Sequence, residues 1–210
     1  MCCSYRGYWT SSGRPSELGI ALDATTALEW IRDDSVLAGD QEYDTSVIIW
    51  GQSIGAGVAS NLAAQSNLFS GRLKLRSLIL ETPFISIRTM LETLYPQKWL
   101  PYKYLWPFLR NHLDSQRALG NLSHNYQEAG IRRPTVVILV AGRDELVPKE
   151  HGDVLKARCK ALGLNARRQV IDYSLHTEIM FRMEGRKAIV EAIHLATSSE
   201  ETLLPEKVQD

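Results

Sequence analysis

Four short runs along the chain, 46–50, 76–80, 135–140 and 168–171, are dominated by aliphatic and β-branched residues. Turn-forming or charged residues bound each of them, the pattern of strands buried within a sheet. Between them, apolar positions recur at helical spacing. Leu18, Leu22, Thr25 and Leu28 predict a helix over 16–31, with Pro15 just before it as a start signal. A small-residue helix over 54–65 follows directly on the first strand. Another runs over 149–162, where Gly163 stops it, and a last one spans 185–197 ahead of the polar tail 198–210. Strands alternating with helices imply parallel pairing through right-handed crossovers. The predicted class is α/β.

The stretch 84–133 breaks this alternation, being far longer than one helical crossover. It holds the aromatic, proline-punctuated run 95–108, and long insertions of this kind serve either as lids or as helices packed on the core. No linker-like or repetitive segment divides the rest, so residues 1–197 are expected to form a single domain, with 84–133 as its lid-like insertion.

The 24 Lys and Arg are balanced by 24 Asp and Glu, which argues against broad electrostatic capture of nucleic acid or anionic membrane. Cys2, Cys3 and Cys159 form no disulfide framework and no zinc-ligand spacing, and a reducing compartment is expected. There is no apolar run of about eighteen residues and no secretory leader pattern. On these grounds the chain reads as soluble and intracellular.

Gly51-Gln52-Ser53-Ile54-Gly55 carries the chemistry. It matches G-x-S-x-G and lies between a predicted strand and a predicted helix, the context of a nucleophile elbow. Both glycines are expected to be needed by the tightness of the turn. Ser53 would project its Oγ at the start of a helix, where the Ile54 N–H can stabilise a developing oxyanion. A dinucleotide-binding turn is the rival, and Glu81 stands where a ribose-binding acid would. The glycines decide against it, because Gly51, Gly55 and Gly57 do not fit G-x-G-x-x-G.

A serine nucleophile needs a base, and the base needs an orienting acid; in this arrangement the chain order is Ser, acid, His. Asp144 lies just past the third strand, with Glu145 as the neighbouring alternative. His112 and His124 precede the acid, His151 opens the next helix, and His194 lies within the last one. His176 alone follows the final strand, so Ser53, Asp144 and His176 are the expected triad.

With these placed, the chain resembles the bud-emergence-type branch of the α/β-hydrolases, related to membrane-anchored lysophospholipid and acylglycerol lipases. The resembling residues are Tyr5-Arg6-Gly7-Tyr8, Ser12-Gly13-Arg14-Pro15-Ser16-Glu17, Trp50 to Gly55, Glu81-Thr82-Pro83-Phe84, and Gly142 to Pro148. The Gly-Gln-Ser-Ile-Gly form is also similar to hydrolases that deacylate proteins. The resemblance implies a three-layer sandwich on a mostly parallel sheet, ester or thioester substrates with acyl chains, and no cofactor or metal. Two departures stand out. Ser174-Leu175-His176 replaces the family's Gly-x-His, and nothing before Tyr5 corresponds to the family's first strands or to its His-Gly loop, which supplies a second oxyanion donor. The chain is therefore read as a shortened hydrolase, with any membrane association belonging to an upstream segment. A catalytically impaired remnant that binds a ligand or partner is the alternative.

Overall fold

The computed structural model describes residues 1–33, 44–95, 97 and 108–198. Most of the aromatic run 95–108 and all but the first residue of the tail 198–210 lie outside the described residues. The elements in chain order are α1 (Glu17–Asp33), β1 (Thr45–Gln52), α2 (Ile54–Ala63), β2 (Leu73–Glu81), α3 (Ile87–Leu94), α4 (Ser115–Glu128), β3 (Thr135–Ala141), α5 (Glu150–Ala161), β4 (Ala166–Ile171) and α6 (Met183–Ser198).

The four strands lie in sequence order, β1-β2-β3-β4, and every ladder is parallel. Alternation along each strand divides the core in two. On β3, Val136, Ile138 and Val140 face the side covered by α2, α4 and α5. Val137, Leu139 and Ala141 face α6. Helices on both faces of one sheet make the three-layer α/β sandwich. Arg76 is an extra residue in β2, where the β1 register shifts between Val47 and Ile48. It reverses the strand's facing, so that Leu75 and Leu78, three apart, point into the same core.

Two sequence expectations change. On α1 the buried side is Ile20, Ala24 and Leu28 rather than Leu18 and Leu22, which are exposed. The reason is what α1 meets: Ile20 and Ala24 pack with Val58 of α2 and with Phe84. Within 84–133, α4 is part of the main core, with Leu119, Leu122 and Tyr126 buried against α2. Among the described residues before α4, Phe84 and Leu113 are buried in a separate, smaller cluster with Ile20, Val58 and Val147.

The Tyr5-Arg6-Gly7 motif is a clamp on α1. Arg6 donates through Nε and Nη2 to Asp23, and the Arg6 backbone N–H reaches the same carboxylate at 2.9 Å. Gly7 has φ +77°, and a Cβ there would lie 2.6 Å from Pro15 Cδ. Among the described residues no helix is long and apolar enough to cross a membrane.

Candidate active site

Ser53 is the one residue between β1 and α2, and it carries the whole change of direction. Its φ of 51° and ψ of −115° are costly for any residue with a side chain, so the surroundings must hold it there. Its N–H donates to the Glu81 carbonyl at 2.9 Å, and its own carbonyl accepts the Ala56 N–H at 2.9 Å. Ile54 opens α2, so its N–H has no preceding helical carbonyl to meet. The two motif glycines differ. A Cβ on Gly51 would overlap the Gly55 carbonyl, whereas a Cβ on Gly55 would meet nothing within 4 Å. The expectation that both are sterically required is corrected at Gly55, which faces the groove along the outer edge of β1, beside Trp50 and Val58.

The loops after β3 and β4 continue the sheet's pairing past the strand ends. Gly142 N–H donates to the Ile171 carbonyl at 2.9 Å and Arg143 N–H to the Ser174 carbonyl at 2.9 Å. The approach is close enough that a Cβ on Gly142 would lie 3.0 Å from Asp172 Cα. This zipper delivers Asp144 and His176 side by side. His176 Nδ1 lies 3.0 and 2.9 Å from the two Asp144 oxygens, and the two side chains are 5% and 3% exposed. An ionised carboxylate only accepts, so Nδ1 carries a proton, and in the neutral ring it is Nε2 that offers the lone pair. Burial alone would raise the Asp144 pKa. The His176 hydrogen bond and the N–H groups of Val147 and Leu146 outweigh it and hold the carboxyl below its ordinary value. Ser174, where the family pattern has glycine, is buried and satisfies its own hydroxyl on the Ile171 carbonyl at 2.7 Å.

Asp144 and His176 are thus in direct contact, and Ser53 stands at the carboxyl end of β1, the same end of the sheet. Among the described residues, Ser53 Oγ has no hydrogen-bond partner.

No family model matches the chain. It is 39% identical over 93 residues to protein bem46 of Schizosaccharomyces pombe, covering 44% of this chain and 28% of that one. It is 34% identical over 151 residues to the lysophosphatidylserine lipase ABHD12 of Xenopus tropicalis, covering 72% of this chain and 36% of that one. Its homologues thus include bem46 and the ABHD12 lipases. The chain spans less than half the length of these curated relatives. The Pyrococcus furiosus esterase Pf2001 shares the hydrolase fold, with a TM-score of 0.62 at 15% identity over 92% of this chain and 67% of that one.

Three residues around this site have contacts that the sequence did not indicate. Glu145, the rejected alternative acid, accepts the His176 backbone N–H at 3.0 Å and so holds the loop rather than the ring. His151 is buried, and its Nδ1 accepts the Ile85 N–H at 3.2 Å; burial lowers its pKa, against the raising effect of Glu150 and Asp144. His112, His124 and His194 are exposed. Glu81 was visible only as a position at a strand end, yet it touches three residues of the elbow. A carboxylate at a strand terminus beside a G-x-S-x-G motif was the one available signal.

Proposed function

We propose that this chain is a serine hydrolase that cleaves carboxylic ester or thioester bonds of acyl-bearing substrates through an acyl-enzyme on Ser53. The observation that carries the reading is the strained Ser53 junction sharing one sheet end with a buried Asp144–His176 pair. His176 Nε2 takes the Ser53 proton as Oγ attacks the acyl carbonyl. The Ile54 N–H, at the helix start, faces the developing oxyanion. Collapse expels the alcohol or thiol, which takes the proton from His176. Water activated by the same nitrogen then attacks the acyl-enzyme and releases the acid. Asp144 keeps the imidazole in the working tautomer and stabilises its charged form.

Support for an acyl chain comes from the residues flanking the triad. Ile54 follows Ser53, Leu146 lies two residues past Asp144, and Leu175 precedes His176, and all three are large, apolar and exposed. Apolar side chains beside each reacting residue suit a hydrocarbon tail better than a charged or sugar-like substrate. The lipase name attached to the Xenopus relative is in keeping with this substrate class.

Fluorophosphonate labelling of the purified chain beside Ser53→Ala, with p-nitrophenyl ester hydrolysis on the same samples, tests the reading. Labelling and hydrolysis that both vanish in Ser53→Ala support it, and a folded chain that does neither refutes it. Binding without turnover is the second reading. Probe labelling without ester turnover would select it.

A further inference from the structure

Glu81 closes β2 at the carboxyl end of the sheet and is only 1% exposed. Its Oε2 accepts the Trp50 indole N–H at 2.9 Å, its Oε1 accepts the Gln52 amide N–H at 3.1 Å, and its backbone carbonyl accepts the Ser53 N–H. Among the described residues no lysine or arginine pairs with it. A carboxylate buried on neutral donors alone is an expensive choice for a purely structural peg. Glutamine fills the same space, but its amide has one acceptor oxygen, whereas two donors converge here from different directions. The next residue adds a second sign of constraint. Thr82, β-branched, has φ +44°, and its buried Oγ1 has no partner among the described residues. The strand therefore ends in a forced turn that delivers the Glu81 carboxylate beneath the elbow.

We propose that Glu81 is a positioning residue for the nucleophile, clamping the elbow at Trp50, Gln52 and Ser53 so that Ser53 is held in its strained conformation. This rests on the hydrolase reading above. The clamp also carries charge. Burial pushes the Glu81 pKa up, while the Trp50 and Gln52 hydrogen bonds and the nearby His176 imidazole pull it down. Among the described residues the carboxylates recorded against His176 are Asp144 at its Nδ1, Glu145 at its backbone N–H and Glu81 through charge. An ionised Glu81 favours the imidazolium that acyl transfer creates.

The test is the rate of fluorophosphonate labelling of Ser53 against pH in wild type, Glu81→Gln and Glu81→Asp, with folding checked by circular dichroism. Misplacing reacting atoms by about 1 Å costs up to about a hundredfold, so Glu81→Gln should label ten- to a hundredfold more slowly. The acid limb of its profile should move to lower pH, because a negative charge beside the imidazole is gone. Glu81→Asp should recover part of both. A folded Glu81→Gln within twofold of wild type overturns the proposal, as does a slower variant whose acid limb has not moved. Should Glu81→Gln fail to fold, Trp50→Phe removes one donor from a half-exposed ring, and its labelling must slow in turn. Should wild type never label, the hydrolase reading fails separately. The clamp is then read from hydrogen exchange at the Trp50 indole: protection lost in Glu81→Gln supports it, and fast exchange already in wild type overturns it.

Discussion

The two glycines of the elbow should respond to alanine in opposite directions. In Gly51→Ala the new methyl would sit 2.8 Å from the Ala56 nitrogen and closer still to the Gly55 carbonyl. These are backbone atoms of the first turn of α2, so no side chain can rotate out of the way. Relief requires β1 and α2 to part by several tenths of an ångström at the residue whose torsions are already strained. Overpacking of this kind costs about 1–3 kcal/mol. The fixed partners put Gly51→Ala at the upper end, with a further loss of labelling rate as Ser53 shifts. In Gly55→Ala the methyl meets nothing within 4 Å and enters the second position of a helix. Helix propensity and reduced unfolded-state entropy then favour alanine by about 0.5–1 kcal/mol. Urea denaturation gives the stabilities, and fluorophosphonate labelling reports the elbow. Wild-type stability and reactivity in Gly51→Ala would show that the crowding is not real. A loss above about 1 kcal/mol in Gly55→Ala would show that the space beside it is not open.

Asp144→Asn should cut labelling and hydrolysis by about 10³–10⁴-fold, since the amide no longer fixes the Nδ1–H tautomer. The same variant tests the Asp144 pKa. A carboxyl held below its ordinary value stabilises the fold above about pH 4 and loses that contribution as pH falls through its folded value. The stability gap between wild type and Asp144→Asn should therefore narrow with acidification, as measured by urea melts at stepped pH. His151, buried with a lowered pKa, stabilises the fold above about pH 6.5 and loses that contribution as pH falls, so His151→Gln should flatten the slope below about pH 6.5. Leu122→Ala should cost about 2–5 kcal/mol because α4 belongs to the core, and a change under about 1 kcal/mol would make α4 a detachable cover.

Every strand was legible as an element, most plainly where residues buried on both faces leave a long aliphatic run, as in Val136 to Val140. Their starts were less so. β2 begins at Leu73, but Lys74 and Arg76 break the apolar run, and the extra residue upsets the alternation that would have extended it. The face of α1 was ambiguous for another reason. Leu18 and Leu22 fit the helical period as well as Ile20 and Ala24 do, and only the neighbouring α2 chooses between them. At the site, residue types and chain order single out Asp144 and His176, which the paired loops then bring into contact. What no sequence pattern reveals is which side chains hold the machinery still. Glu81, Glu145 and His151 act through backbone or through another residue, and such contacts leave no spacing to read.

The position of β1 has a mechanical consequence. Among the described residues β1 and β4 are the two outer strands, each bonded on one side only, while β2 and β3 are paired on both sides. The serine and the histidine thus hang from opposite outer strands, and only the acid hangs from a central one. On warming, strand-edge amides open before central ones, so the serine and its base should separate before the central strands melt. Thermal inactivation would then run ahead of melting, with an interval in which the chain is folded and inert. Cooling from within that interval should restore reactivity at once, without any refolding phase.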